Sequence, residues 1–177
     1  TFNGVGPAWD TDNILKLYHK VERSFIRVDA DEVTYPLHVI LRYRLEKDII
    51  AGKLKVADLP DAWNAAFKDL LGVDVPNDAQ GCLQDIHWYD GALGYFPTYT
   101  LGAMTAAQVY QAACAAHPEI PECVSKGEFA TLLSWLRENV HANGRLLSGP
   151  ELLTRATGRP LEAAPFKNHL KARYLLD

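Results

Sequence analysis

Between residues 81 and 99 the chain gathers most of its polar and aromatic chemistry. Gly81-Cys82-Leu83-Gln84-Asp85-Ile86-His87-Trp88 is followed closely by Gly94-Tyr95-Phe96-Pro97-Thr98-Tyr99. An amide, a carboxylate, an imidazole, an indole and two phenols stand together there. Such groups move protons and make hydrogen bonds, and they are costly to bury without partners. A loop rich in them, and braced by glycine and proline, is suited to holding a ligand or stabilising charge. No nucleophile accompanies them. The chain has no Gly-x-Ser-x-Gly elbow and no phosphate- or dinucleotide-binding glycine loop.

Metal chemistry needs ligands at defined spacing. A zinc peptidase helix carries two histidines one turn apart. The six histidines are followed four residues later by Arg23, Arg42, Gly91, Pro121, Arg145 and Arg173, never by a second histidine. Asp85 and His87, two apart on a loop, make a weak pair of ligands. Plainer readings stand beside the functional ones: His87 bonded to Asp85 inside a core, Tyr95 and Tyr99 as packing aromatics, and Cys82 as a small buried hydrophobe. Arg27, between Ile26 and Val28 and just before Asp29, Asp31 and Glu32, is most simply an ion-paired structural residue. Its planar fork of donors would also clamp a carboxylate bidentately.

The elements that must position these groups read as helices. Residues 1–11, with Gly4, Gly6 and Pro7, form an irregular lead-in, after which Ile14, Leu15, Tyr18 and Val21 recur at helical spacing. Ser24–Val28 is short and β-like. Val33, Leu37, Ile40, Leu41, Leu45 and Ile49 mark a long amphipathic helix closed by Gly52, with Pro36 in its first turn or kinking it. Asp58-Leu59-Pro60 opens a helix with Trp63, Phe67, Leu70 and Leu71 on one face and Gly72 at its end. Residues 73–94 form a long polar and aromatic connection. Further helices are expected over Leu101–His117, around Phe129–Val140, from the Ser148-Gly149-Pro150-Glu151 capping box to Gly158, and around Phe166–Tyr174. Six or seven helices without a set of strands make the chain all-α.

Composition narrows the function. In 177 residues, hydrophobic types make up 48% and charged types 23%, ordinary for a globular protein. A net charge of -4, with lysines and arginines scattered among carboxylates, argues against nucleic acid as a partner. No apolar run is long enough to span a membrane. Three cysteines without CxxC spacing suit reduced thiols and a cytoplasmic location. The chain opens at Thr1 without a methionine, as an excised piece would.

Two blocks then carry a resemblance: Ile26-Arg27-Val28-Asp29-Ala30-Asp31-Glu32-Val33-Thr34-Tyr35 and Gly81–Trp88. Both are similar to signature blocks of the thermostable (Taq-type) metallocarboxypeptidases, family 32 of the metallopeptidases. Leu59–Asn64, Gly94–Gly102, Trp135–His141 and Ala156–Gly158 resemble the same family, in order, from about Tyr18 to the C-terminus. Asp29 replaces an expected glutamate and Pro36 an expected asparagine.

The resemblance implies the all-helical, neurolysin-like zincin fold with a deep cleft, and a zinc- or cobalt-dependent homodimer that removes single residues from peptide C-termini. It implies that residues 1–177 are a single C-terminal helical portion, that the metal ligands and catalytic glutamate lie in a missing N-terminal part, and that this chain binds no metal and is inactive alone. His87 with Tyr95 or Tyr99 would stabilise the charge developing on the scissile carbonyl; Tyr99 fits the family-like spacing better. Arg27 would receive the free C-terminal carboxylate of a peptide substrate, and Gln84 and Asp85 would orient His87 or its loop within the substrate site. Other classes that suit the same residues are a related endopeptidase or dipeptidyl carboxypeptidase, and a non-catalytic helical module for interaction or dimerisation.

Overall fold

A computed structural model describes residues 6–175. Eight α-helices occur among them: α1 (Thr11–Tyr18), α2 (Tyr35–Ile50), α3 (Leu59–Leu71), α4 (Pro97–Ala116), α5 (Ile120–Ser125), α6 (Ala130–Asn139), α7 (Gly149–Thr157) and α8 (Ala164–Tyr174). No strand occurs among the described residues. The chain divides into two compact units within α4, at Thr100 and Leu101.

The first unit is built on α2 and α3. Pro36 occupies the first turn of α2, where its missing N–H has no intrahelical partner to lose. Leu41 and Leu45 from α2 meet Leu59, Trp63, Phe67 and Leu71 from α3, and Cys82 from the following loop completes this core. α3 stops at Gly72, whose φ of 71° is the left-handed C-terminal turn that glycine adopts without strain. Gly81 allows the loop to lie close to α3. A Cβ there would meet Val75 Cγ1 at 3.0 Å, the Asn77 carbonyl at 3.2 Å and, from α3, Trp63 Cδ1 at 3.5 Å, so a side chain would fit only if the neighbouring loop atoms gave by a few tenths of an ångström.

In the second unit Ala113, Ile120 and Trp135 form a small core. Buried Gln108 donates to the Thr157 hydroxyl and the Pro160 carbonyl, each at 2.9 Å, and accepts from the Glu162 N–H at 2.9 Å. That amide therefore ties the chain after α7 back onto α4. Ser148 and Glu151 form the expected capping box, and Gly158 ends α7.

Several expectations change in detail. The lead-in lies partly in residues 1–5, outside the described residues; Pro7–Trp9 form one 3-10 turn, and α1 starts at Thr11. The β-like Ser24–Val28 is no strand. Arg27–Asp29 form a 3-10 turn, because the Arg27 N–H is taken by the Gln84 side chain at 2.8 Å and has no strand partner. α4 begins at Pro97, four residues before Leu101, so Tyr99 projects from a helix. The helix around Phe129–Val140 ends at Asn139, and Gly144 interrupts the 3-10 segment His141–Leu146 that follows. α5 had no sequence signal assigned to it.

Candidate active site

The groups singled out in the sequence meet in the first unit, and α2 is the element that organises them. Tyr35, His38, Arg42 and Glu46 recur at helical spacing on one row of α2. Around that row lie the Arg27 turn, the 81–94 loop and the first turn of α4.

Asp85 is the centre. Its Oδ1 accepts from Arg27 Nε at 2.9 Å and Nη2 at 2.7 Å, and its Oδ2 accepts from Arg42 Nε at 2.5 Å. The side chains of Arg27, Arg42 and Asp85 are 6%, 0% and 9% exposed. Burial opposes the Asp85 charge, but Arg42 and Arg27 together hold its carboxyl below the ordinary range. Burial likewise works against the Arg27 charge and is outweighed by Asp85, so that guanidinium is held more firmly protonated than usual. Arg42 pays most for desolvation and is brought down to about 10 despite Asp85; it remains charged at neutral pH. Two guanidiniums against one carboxylate leave the cluster one positive charge in excess.

Arg27 is held from several sides. Its Nη1 donates to the Tyr35 hydroxyl at 2.6 Å. Its guanidinium carbon lies 5.1 Å from the Tyr99 ring centroid and 5.7 Å from those of Tyr35 and Phe96. Gln84 fixes the local backbone. It accepts from the Arg27 N–H and donates to the Phe25 carbonyl at 3.0 Å and the Gln80 carbonyl at 2.9 Å. Asp31 shapes the entry to α2 by accepting from the backbone N–H groups of Val33 and Thr34, each at 2.9 Å. Three of the five N–H bonds of Arg27 are thus engaged, and two are left to meet a further anion.

His87 does not bond to Asp85, whose oxygens are occupied by the arginines. Its Nε2 lies 2.9 Å from the Tyr99 hydroxyl. Its ring lies against Phe96, 4.3 Å between centroids, and approaches Tyr95 at 5.6 Å. Tyr95 and Tyr99 meet edge to face at 5.4 Å. Tyr95 is 49% exposed. Burial pushes the Tyr99 phenol above its usual value, which keeps it protonated and able to donate. His87, Tyr95 and Tyr99 therefore form one group, and Arg27, Gln84 and Asp85 a second. Phe96 and the Tyr99 ring touch both.

The residues missing from the sequence reading are Tyr35, His38, Arg42 and Glu46. Their signal was present as polar residues repeating at 35, 38, 42 and 46 along one row of α2. His38 is 0% exposed, and neither ring nitrogen has a hydrogen-bond partner. Burial, then the neighbouring Arg42 charge, lowers its pKa to about 4.

That shift has a sign. Between pH 6.5 and 4 an unfolded His38 takes up a proton that the folded one refuses. The stability it contributes is complete above pH 6.5 and is lost as pH falls towards 4, by about 3 kcal/mol for a shift of this size. Asp85 and Asp31, both lowered from 3.8, lose their contribution only at more acid pH. Urea midpoints at pH 7 and pH 4.5 should therefore differ much less in His38→Leu than in the unsubstituted protein. Equal differences would show that His38 is not the group responsible.

Among the described residues no three His, Cys, Asp or Glu side chains are close enough together to hold a metal ion. Asp85 and His87 do not make such a site, since Asp85 is saturated by arginine. The described residues do not fit a metal.

The profile described as carboxypeptidase Taq (M32) metallopeptidase matches residues 1–174. The chain belongs to that family. It is 41% identical over 163 residues to carboxypeptidase 1 of Bacillus subtilis, covering 92% of this chain and 32% of that protein. Thermostable carboxypeptidase 1 of Pyrococcus furiosus is 39% identical over 164 residues, with 93% and 33% covered. Among solved structures, metallocarboxypeptidase 1 of Trypanosoma cruzi superposes with a TM-score of 0.93 at 40% identity, over 98% of this chain and 36% of that one. The M32 carboxypeptidase of Deinococcus radiodurans gives 0.89 at 46% identity, over 92% and 33%. The chain therefore spans about a third of the length of the relatives it matches, and its all-helical architecture is part of their fold. No helix among the described residues is long and apolar enough to cross a membrane.

Proposed function

We propose that this chain is the substrate-holding and charge-stabilising part of a metal-dependent carboxypeptidase that releases single residues from peptide C-termini. The observation that carries the reading is the buried cluster of Arg27, Arg42 and Asp85, with its unbalanced positive charge and a guanidinium already oriented by Asp85, Tyr35 and Gln84. A free peptide carboxylate supplies the missing negative charge and can accept the remaining Arg27 N–H donors. Because the arginine is fixed before substrate arrives, little conformational entropy is lost on binding. Asp85 and Gln84 serve the substrate through Arg27, by aiming it.

Beside this receptor, His87 and Tyr99 offer a hydrogen-bond donor for the carbonyl oxygen as it gains negative charge. A donor aimed at charge present only in the transition state accelerates the reaction selectively. Tyr99 fits the role better than Tyr95, because its hydroxyl is the one bonded to His87. Tyr95 packs its ring against the same imidazole. From the family resemblance, zinc or cobalt, the catalytic glutamate and a homodimeric assembly belong to the whole enzyme, with the metal ligands outside this chain; this part alone is then inactive. Its three unpaired thiols suit the cytoplasm.

The test is selectivity. In the whole enzyme, Arg27→Ala should lower kcat/KM on free-acid peptides about 10- to 100-fold, the value of a charge-assisted hydrogen bond, and leave C-terminally amidated peptides nearly unaffected. Equal losses on both would make Arg27 a structural residue. Mass analysis of the products separates release of single residues from release of dipeptides or internal cleavage.

A further inference from the structure

We infer that Glu46 is a positioning residue for His87, acting as a latch that closes the signature loop from both ends. Its side chain comes from the fourth turn of α2 and is 4% exposed. One carboxylate oxygen accepts from the Trp88 indole N–H at 2.7 Å, and the other accepts from the Gly94 backbone N–H. Gly94 has a φ of 78°, a left-handed conformation that glycine takes readily and that turns the chain into α4. Trp88 is the residue after His87. Gly94 leads directly into Tyr95 and Phe96, the rings that pack on the imidazole at 5.6 and 4.3 Å. A single carboxylate thus fixes the segment that carries His87 and the segment that forms the wall against it.

The cost of that carboxylate argues for a specific task. Glu46 makes no ion pair among the described residues; its carboxyl group is met by two neutral donors. Burying a carboxyl group this way is unfavourable compared with an apolar side chain of similar volume. An apolar residue would fill the space but would leave both N–H groups unmatched and the loop held only by packing. The Trp88 ring is further located by edge-to-face contacts with Trp63 at 6.3 Å and Phe96 at 5.7 Å. Those contacts set its depth, and the hydrogen bond to Glu46 sets its rotation.

The inference rests on the proposed role of His87, and the experiment separates the two. Four forms of the whole enzyme are compared on one free-acid peptide: unsubstituted, Glu46→Gln, His87→Ala, and the double variant. Glutamine keeps the shape but places a donor where Trp88 or Gly94 needs an acceptor. Glu46→Gln should lower kcat about 10-fold through misplacement of the imidazole, with KM changed by less than about twofold. Added to His87→Ala it should cost less than about a further twofold, because a group that acts through His87 has nothing left to position. If His87→Ala leaves kcat intact, the reading of the site itself fails. If His87→Ala is impaired but Glu46→Gln keeps its kcat, or the two losses multiply, the latch alone is overturned. Should Glu46→Gln not fold, Trp88→Phe takes its place in the same cycle. It keeps a ring and removes one of the two donors, and kcat should fall about threefold. An unchanged kcat there also overturns the latch.

Discussion

Tyr99→Phe in the whole enzyme should lower kcat about 100-fold and change KM by less than about twofold, the pattern of an interaction made only in the transition state. The geometry indicates which proton is at stake. His87 Nδ1 is buried without a partner, while Nε2 faces the Tyr99 hydroxyl at 2.9 Å. An unmatched buried N–H costs more than an unmatched lone pair. The cheaper tautomer therefore keeps its proton on Nε2 and donates it to the Tyr99 oxygen. That leaves the phenolic proton of Tyr99 free to point at substrate, and burial keeps it in place by raising the phenol above its usual value. Phenylalanine removes the donor and strands the imidazole N–H at the same time. Tyr95→Phe is the control, since it should leave kcat within about threefold. If Tyr95→Phe carries the large loss and Tyr99→Phe does not, the two tyrosines exchange roles.

The parts of the fold that sequence made legible are those governed by local rules. α3 announced itself through Pro60 at its start, Trp63 and Phe67 one turn apart, and Gly72 at its end, and all of these do what their types suggest. α7 did so through its capping box. α2 was read correctly as a long helix from its apolar stripe, but the second buried face was not seen. A helix covered on both sides loses its amphipathic contrast, and Tyr35, His38, Arg42 and Glu46 pass as a solvated polar face. Their hydrogen-bond partners lie as much as 48 residues away, from Glu46 to Gly94, and no local pattern records such a pairing. The same holds for Arg27. The three acids beside it in sequence were the natural partners to suspect, yet Asp85, 58 residues on, is the one it bonds. For α4 the signal was there in Pro97 at the first helical position, obscured by the polar Thr98, Tyr99 and Thr100. The candidate site was thus legible as a set of residues, and its wiring was not.

Asp85→Asn carries the largest expected effect on stability. The substitution keeps shape and volume but removes the one negative charge between two buried guanidiniums. Asparagine can still accept from one arginine; its amide N–H₂ then faces the donors of the other. Breaking a buried charge network in this way costs about 3–5 kcal/mol, since the remaining charges stay desolvated and uncompensated. Hydrogen exchange at the α2 amides is the suitable measurement because it reports local opening around Arg42. Those amides should lose protection by that amount, and protection within about 1 kcal/mol of the parent would contradict the account. A second substitution separates stability from function. Arg42 is 0% exposed and stacked 4.7 Å above the Trp63 ring, so Arg42→Met fills a similar space without a charge. In the Asp85→Asn background it should restore much of the lost protection, because the most deeply buried unpaired charge is gone. It should not restore activity on free-acid peptides. Arg27 would keep its own charge but would lack the carboxylate that aims its guanidinium, and a receptor without its aim binds the substrate terminus in several orientations. Recovery of stability without recovery of turnover would identify Asp85 as the residue that orients Arg27. Recovery of both would reduce it to a counter-ion.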